Sequence, residues 1–323
     1  MPDSIEGANP APGAIDVRTS RTTCSIDPED PLRRSALFAA LTGTAVAAVL
    51  AAGTPASAIN TYNAQPAPER HEVGALLVQW DRDGDGTSET IGWYCSGTMI
   101  DENTFLTAAH CTTDWSPGVK FYVSLAQDVQ GALDKAKADG LTPTQIATTV
   151  GVEGTEHTSP DYPGNSADAH DIAVIEFSDA QAAALAKRWP FTPATLPSAG
   201  QLDALGSRAL DAATWQVMGY GTEEAARGPG GQTHPGGGVR MKAEVGFDAL
   251  NKTWVRLAMN ESRNYGGACY GDSGGPNFVT LDGALVLAAT TITGDGPCYA
   301  TNVSYRLDTP SARGFLDEFV ALP

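Results

Sequence analysis

The chain has 323 residues, of which 42% are hydrophobic, and it carries a formal net charge of −18. This length and apolar content suffice for a sizeable core in one large or two small domains. So acidic a chain repels nucleic acid and anionic membranes, which excludes both as partners and favours solubility outside the cell. Its 35 glycines and 21 prolines favour turns and short strands over long helices.

The N-terminal segment, residues 1–58, predicts an export signal with an unusually long polar region before its apolar core. Two arginines precede an apolar run over 36–53, and small residues at 56–58 suit cleavage after Ala58. The arginine pair also fits the twin-arginine pattern loosely, so the export route stays open. An uncleaved membrane anchor is the alternative, although about 17 residues rich in Ala and Gly are short for a span. We expect a secreted protein from which this segment is removed.

Short stretches rich in Val, Ile, Thr and aromatic residues alternate with turn residues after the export segment, and they predict an all-β protein. In chain order, the predicted strands are Val73–Trp80, Thr90–Met99, Val119–Leu125, Ile172–Phe177, Thr214–Gly219, Trp254–Ala258 and Ala284–Thr293. Only two segments, Ala126–Ala138 and Ser311–Ala321, have a helical pattern.

An acidic turn follows the first predicted strand, where Asp81, Asp83 and Asp85 alternate with Arg82 and glycines. Its spacing resembles the start of a calcium-binding loop, but Gly92 stands at the twelfth position, where a bidentate glutamate is needed. We expect an acidic hairpin turn, with calcium binding as the alternative, and we expect no other metal or cofactor.

Three short motifs contain candidate catalytic residues. Thr-Ala-Ala-His-Cys includes His110, His-Asp-Ile-Ala-Val includes Asp171, and Cys-Tyr-Gly-Asp-Ser-Gly-Gly-Pro includes Ser273. A serine among glycines lets a substrate carbonyl come close, and a histidine can accept the hydroxyl proton. We expect Asp171 at the site rather than its neighbour His170, because adjacent side chains of a strand point to opposite faces.

These motifs, in the order His, Asp, Ser, resemble those of the chymotrypsin or trypsin-like family of serine peptidases, in its secreted bacterial form. The resemblance runs from about residue 73 to the C terminus and includes Gly-Tyr-Gly-Thr at 219–222. It implies two six-stranded antiparallel β-barrels, over 59–190 and 191–323, with a C-terminal helix in the second. The catalytic histidine and aspartate would belong to the first barrel and the serine to the second, so the site would lie between them.

The resemblance also implies an oxyanion hole and a specificity pocket. The backbone N–H groups of Gly271 and Ser273 would bind the developing oxyanion. The pocket for the side chain before the scissile bond would have Gly267 at its base, followed by Ala268, and Val303 would narrow it. Because no carboxylate stands at that base, we expect cleavage after apolar, medium-sized or aromatic residues rather than after basic ones.

In the family that the motifs resemble, the aspartate before the nucleophile pairs with a new N-terminal amine. Asp272 would have this role, and cleavage after Ala58 would leave Ile59 at the new terminus. The sequence that begins at this residue, Ile-Asn-Thr-Tyr, departs from the usual Ile-Val-Gly-Gly, so further trimming or a separate propeptide within 59–72 stays open.

The chain has five cysteines, and this content is consistent with export. One of them, Cys24, falls in the predicted export segment. The other four make an even set that suits two disulfides, although their spacing allows three pairings. A zinc site is the alternative, but the close cysteine pairs typical of such sites are missing. The family resemblance implies the pairs Cys95–Cys111 and Cys269–Cys298.

The expected function is that of a secreted serine endopeptidase that acts as a monomer on protein or peptide substrates. A catalytically inactive binding protein on the same fold is the alternative, because a fold does not by itself imply an activity. An esterase of the α/β-hydrolase fold is disfavoured because its catalytic residues run in the order Ser, Asp, His.

Overall fold

The computed structural model describes residues 59–323, so the predicted export segment at 1–58 lies outside the described residues. Antiparallel strands dominate the described part. The first seven are β1 (Gln65–Pro66), β2 (Val73–Trp80), β3 (Thr90–Met99), β4 (Thr104–Thr107), β5 (Lys120–Ser124), β6 (Val152–Thr158) and β7 (Ala173–Glu176). The others are β8 (Trp215–Gly219), β9 (Ala226–Gly228), β10 (Gly231–Thr233), β11 (Met241–Leu250), β12 (Trp254–Ala258), β13 (Pro276–Leu281), β14 (Ala284–Gly294) and β15 (Thr301–Arg306).

The strands form two closed antiparallel barrels of six strands each, which confirms the predicted fold. The first barrel has the order β2-β3-β4-β7-β6-β5. The second has the order β11-β12-β15-β14-β13-β8, and it closes because β8 also pairs with β11. Closure leaves neither barrel with a long unpaired edge strand.

The N-terminal end of the described chain belongs to the second barrel rather than to the first. Strand β1 pairs with β11, and Ile59 is completely buried in the second barrel's hydrophobic core. This differs from the predicted assignment of all of 59–190 to the first barrel. The predicted boundary near residue 190 falls between the last strand of the first barrel and the first strand of the second.

The described residues contain more helix than the sequence predicts. The helices are α1 (Val129–Ala138), α2 (Pro143–Val150), α3 (Asp179–Arg188), α4 (Gln201–Ala212) and α5 (Pro310–Leu316). Only α1 and α5 correspond to predicted segments, and both are shorter than predicted. The expectation of only two helical segments was therefore wrong.

Hydrophobic packing joins the two barrels. One cluster of buried residues contains Val73 and Leu106 from the first barrel together with Met218 and Phe278 from the second. Apolar area removed from water stabilises such a contact by roughly 25 cal/mol per Å². The barrels are thus held side by side, and residues at their junction are positioned by both.

Two disulfides have the pairing that the family resemblance implies. Cys95 of β3 is bonded to Cys111, and Cys269 is bonded to Cys298 in the loop after β14. Each closes a short loop, 16 or 29 residues in sequence separation, and such a crosslink typically contributes about 3 kcal/mol. Within residues 59–323, no helix is both long and apolar enough to cross a membrane.

Candidate active site

His110 lies on a short 3₁₀ helix, Ala109–Cys111, directly after β4. Its ring Nδ1 lies 2.8 Å from Oδ2 of Asp171, and its backbone N–H donates to Oδ1 of the same carboxylate at 3.0 Å. A carboxylate that accepts the Nδ1 proton leaves Nε2 of the neutral ring as a base. The ring is also accessible, because 29% of the side chain is exposed.

Asp171 precedes β7 and is only 6% exposed. Its neighbour His170 has a left-handed backbone conformation, with φ of 49°, and its Nε2 lies 3.9 Å from a carboxylate oxygen of Asp168. The two adjacent residues therefore have different partners. Asp171 forms hydrogen bonds with His110, whereas the ring of His170 lies beside the carboxylate of Asp168.

Ser273 lies in the turn before β13, and this turn is held against the first barrel. The carbonyl oxygen of Ser273 accepts a 2.9 Å hydrogen bond from the N–H of Ser96 in β3. The next residue, Gly274, has φ of 76°, and a Cβ there would lie 2.2 Å from Oγ1 of Thr107. Only glycine permits this close approach to β4.

A cavity of about 520 Å³ lies at the junction, and it is lined by His110, Gly271 and Ser273. Gly271 has φ of 95°, a conformation that glycine adopts without strain. Among residues 59–323, the backbone N–H groups of Gly271 and Ser273 donate no hydrogen bond. Both donors are therefore available to an anionic oxygen in the cavity.

Asp272 is completely buried beneath the same turn. Its carboxylate accepts 2.8 Å hydrogen bonds from the N–H groups of Gly221 and Cys269. Burial raises the pKa of Asp272 to about 7, although those two hydrogen bonds act to lower it. In the described part of the chain, no cationic group pairs with this carboxylate. A buried carboxylate without a cation is costly to ionise.

The residue after Ile59 is anchored to the segment that precedes Asp272 in the chain. The N–H of Asn60 donates to the carbonyl oxygen of Gly267 at 3.0 Å, and Oδ1 of Asn60 accepts from the N–H of Gly267 at 2.9 Å. The Asn60 side chain also donates to the carbonyl oxygen of Cys298 at 3.2 Å. The start of the described chain thus contacts the segment that leads to the turn containing Ser273.

The cavity wall differs from the predicted specificity pocket. Ala268 lines the cavity, whereas Gly267 and Val303 do not, and Asn302 lies where Val303 was expected. Adjacent residues of β15 face opposite sides, so only one of the two can point to the cavity. The backbone N–H and the carbonyl oxygen of Gly267 both form hydrogen bonds with Asn60.

Asn302 and Asp295 are among the polar residues that line the cavity. Asn302 is 1% exposed and donates to Oδ1 of Asn277 at 3.0 Å, while its own Oδ1 has no partner among the described residues. Asp295 accepts hydrogen bonds from the backbone N–H groups of residues 299–301. Partial burial acts to raise the pKa of Asp295, but these hydrogen bonds hold it below its ordinary value.

The acidic turn between β2 and β3 has its carboxylates engaged by its own backbone. Asp81 accepts hydrogen bonds from the N–H groups of Gly84 and Gly86 at 2.7 and 2.8 Å. Asp81, Asp83 and Asp85 also lie near one another, together with Glu89. These contacts suit an acidic hairpin turn, and calcium binding at Asp81, Asp83 and Asp85 stays a prediction.

Some residues at the site were missed by sequence reasoning. Asn302 could have been found from the alternation of side chains in β15, once the pocket was placed on that strand. Ser96, by contrast, contacts Gly271 in the turn before β13 from 175 positions away in sequence, and no local pattern indicates such a contact.

The two barrels, with a serine, a histidine and an aspartate at their junction, have the architecture of chymotrypsin-like serine peptidases. The family model for trypsin matches residues 82–311, more than half of the chain, and this range includes all three residues. The chain therefore belongs to the trypsin family, which confirms the resemblance seen in the motifs. A search of curated proteins gives no significant match.

Proposed function

We propose that this protein is a serine endopeptidase that hydrolyses peptide bonds through Ser273, His110 and Asp171. The observation that carries the proposal is the pair of hydrogen bonds, 2.8 and 3.0 Å long, between His110 and Asp171 at the cavity that Ser273 lines. Membership of the trypsin family supports the same chemistry.

In this mechanism, Nε2 of His110 removes the hydroxyl proton of Ser273 while Oγ bonds to the substrate carbonyl carbon. The backbone N–H groups of Gly271 and Ser273 bind the oxyanion. His110 then gives the proton to the leaving amine, and the C–N bond breaks to leave an ester on Ser273. A water molecule, deprotonated by His110, attacks that ester, the ester C–O bond breaks, and His110 returns the proton to Oγ of Ser273. Asp171 stabilises the imidazolium in both halves of the reaction.

We further propose that the enzyme prefers apolar residues before the scissile bond. Ala268 adds only a methyl group to the cavity wall. Asp295, the one carboxylate among the described lining residues, already accepts three backbone hydrogen bonds. Kinetics on a peptide panel that varies this position tests the preference, and efficient cleavage after arginine contradicts it.

Export and activation belong to the same proposal. The enzyme is secreted as a monomer, and removal of residues 1–58 creates the amine of Ile59, which pairs with the buried carboxylate of Asp272. The disulfides suit an oxidising compartment, and the burial of Ile59 suits an inserted terminus. Mass spectrometry of the active secreted protein tests this proposal, and an active species that begins elsewhere contradicts it.

A fluorophosphonate probe tests the catalytic role of Ser273 directly. We expect the wild-type protein to be labelled, Ser273→Ala to remain unlabelled, and Ser207→Ala, an exposed serine on α4, to be labelled normally. Peptide hydrolysis should fall by a factor on the order of 10⁵ in Ser273→Ala and in His110→Ala. A folded wild-type protein that neither reacts with the probe nor cleaves peptides would support the inactive binding protein instead.

A further inference from the structure

Trp93 of β3 lies beside the glycine that supplies one of the proposed oxyanion donors. A Cβ on Gly271 would lie 2.5 Å from Cζ3 of Trp93, so the indole ring lies directly against that glycine. The next residue, Tyr94, forms a β-bulge, because β3 has one residue more than β2 at this point. Bulges redirect neighbouring side chains and are common next to active sites. Trp93 lines the cavity that contains Ser273.

Two further glycines contact the same indole ring. A Cβ on Gly237 would lie 2.5 Å from Cη2 of Trp93, and a Cβ on Gly238 would lie 2.8 Å from its Nε1. Both glycines have left-handed φ values, 96° and 80°. Any larger residue at either position would be strained and would displace the ring. The ring is therefore packed against glycines of two separate segments, one of which contains the oxyanion donor.

Helix α1 holds the ring and one of these segments together. The indole N–H of Trp93 donates to Oε1 of Gln130 at 2.8 Å. The backbone N–H groups of Val129 and Gln130, at the start of the helix, donate to the carbonyl oxygen of Gly238 at 2.8 and 3.1 Å. These bonds lie within the protein, so the ring is ordered before a substrate binds.

The peptide unit that contains the N–H of Gly271 has one end fixed and one end free. Its carbonyl oxygen, which belongs to Tyr270, accepts from the N–H of Thr222 at 2.7 Å. Its N–H donates no hydrogen bond among residues 59–323. Because glycine rotates about φ and ψ more freely than other residues, this unit could turn its N–H away from an oxyanion. The indole ring occupies the space beside the Gly271 Cα and limits that rotation.

We infer that Trp93 is a positioning residue for the oxyanion hole, because its ring holds Gly271 in the conformation in which the N–H is available to the developing oxyanion. This inference rests on the proposed peptidase function. Trp93 acts through Gly271, so its contribution should appear in transition-state stabilisation rather than in substrate binding. Outright loss of one oxyanion donor typically lowers kcat by about 10²–10³, so a donor that is retained but less well ordered should cost about tenfold.

Two variants that disturb the ring in different ways test the inference. Trp93→Ala removes the ring, and Gly237→Ala adds a methyl group that displaces it. Gly231→Ala is the matched control, because Gly231 also has a left-handed φ, 107°, but nothing lies within 4 Å of its added Cβ. We expect kcat on a peptide amide to fall by about tenfold in the first two variants, with KM unchanged within about twofold, and to keep its wild-type value in Gly231→Ala.

Inhibitor binding separates positioning from a general loss of structure. A peptidyl trifluoromethyl ketone forms an adduct with Ser273 that has a negatively charged oxygen where the oxyanion develops, whereas the corresponding alcohol forms no adduct. We expect affinity for the ketone to fall by about the same factor as kcat in Trp93→Ala and Gly237→Ala, and affinity for the alcohol to stay unchanged. Complete reaction with a fluorophosphonate gives the concentration of active enzyme, so unfolded protein is not counted.

Each failure has its own signature. An unchanged kcat in the folded variants overturns the inference, and so does a loss confined to KM and alcohol binding, because Trp93 would then contact the substrate instead. Equal losses in Gly231→Ala and Gly237→Ala overturn it as well, since backbone strain would explain both. Where Trp93→Ala does not fold, the two glycine variants decide. If the wild-type protein neither cleaves peptides nor reacts with the fluorophosphonate, the proposed function fails and this inference fails with it.

Discussion

The hydroxyl of Ser96 donates a 2.9 Å hydrogen bond to the carbonyl oxygen of Gly271. The same residue donates its backbone N–H to Ser273 at 2.9 Å, and its Oγ accepts from the N–H of Tyr220, also at 2.9 Å. Ser96 of the first barrel thus holds both ends of the Gly271–Ser273 turn, one through its side chain and one through its backbone, and its side chain also contacts the residue that follows β8. Preorganised donors are the main source of oxyanion stabilisation in sites of this kind.

Replacing Ser96 by alanine should therefore reduce turnover more than substrate binding. The variant keeps the backbone hydrogen bond to Ser273 but leaves Gly271 without its hydroxyl donor, so the turn is less well ordered. We expect kcat to fall by about tenfold with little change in KM, measured on a peptide amide. Ser124→Ala, a buried serine of β5, is the control. An unchanged kcat in Ser96→Ala would show that the hydroxyl has only a structural role.

The loop that carries Asp171 is attached to the second barrel through Tyr305. The phenol of this completely buried tyrosine donates to Oδ1 of Asp168 at 2.8 Å, and Thr253 donates to the carbonyl oxygen of Ala167 at 2.8 Å. Burial acts to raise the pKa of Asp168, but its hydrogen bonds, including that from Tyr305, hold it below the ordinary value. Tyr305 is in this sense a positioning residue for Asp171.

Tyr305→Phe removes one hydroxyl and keeps the ring, so the loop loses its attachment without creating a cavity. We expect kcat/KM to fall by about threefold to tenfold, with the loss in kcat rather than in KM, because Asp171 would hold His110 less firmly. Tyr122→Phe removes a buried hydroxyl that bonds Gln79 in the first barrel, and it should leave kcat unchanged. Equal kcat values for both variants would refute the positioning role.

Arg240 stabilises the contact between the barrels. Its buried guanidinium donates to the carbonyl oxygens of Val73 and Leu125 at 3.0 Å and to the phenol oxygen of Tyr220 at 3.1 Å. Arg240→Met would remove all of these hydrogen bonds and leave Val73 with only a 3.3 Å bond from the Tyr220 phenol, which costs about 3 kcal/mol and lowers Tm by about 10 °C. Calorimetry measures the shift. Arg256→Met, which breaks an exposed ion pair with Asp248, should shift Tm by only about 2 °C, and equal shifts would contradict the bridging role.

Strand positions were predictable from the sequence where hydrophobic residues are bounded by turn residues. Val73–Trp80, Thr90–Met99 and Trp254–Ala258 were predicted with the bounds that the structure has. Two of the missed helices had local indications that were not used. Thr142 and Gln145 form a capping box at the start of α2, and Ser178 and Gln181 form one at the start of α3.

The long-range part of the site could not be predicted in the same way. The motifs identify His110, Asp171 and Ser273 because each lies in a distinctive local string. The contacts that hold them, through Ser96, Tyr305 and the residues around the cavity, join positions more than 100 residues apart. Such contacts depend on how the barrels pack, which no local pattern indicates.

Asp272 makes the stability of an uncleaved chain depend on pH. Its pKa of about 7 in the folded protein lies above the ordinary value of 3.8. Between roughly pH 4 and pH 7, the folded state therefore binds more protons than the unfolded state, so stability falls as the pH rises through this window. In a chain that begins at Ile59, the new amine would pair with the carboxylate and remove most of this loss.

Denaturant unfolding at several pH values tests this linkage, with Ser273→Ala present throughout to prevent self-cleavage. We expect a chain that retains residues before Ile59 to lose on the order of a few kcal/mol of stability, relative to its Asp272→Asn variant, between pH 4 and pH 7. Comparison with that variant cancels the titration of other groups, because the asparagine stays neutral at every pH. The chain that begins at Ile59 should show a much smaller loss, since its amine is positively charged over the same range. If the free energies of unfolding of the longer chain and of its Asp272→Asn variant differed by the same amount at every pH, Asp272 would not bind the proton that its burial implies.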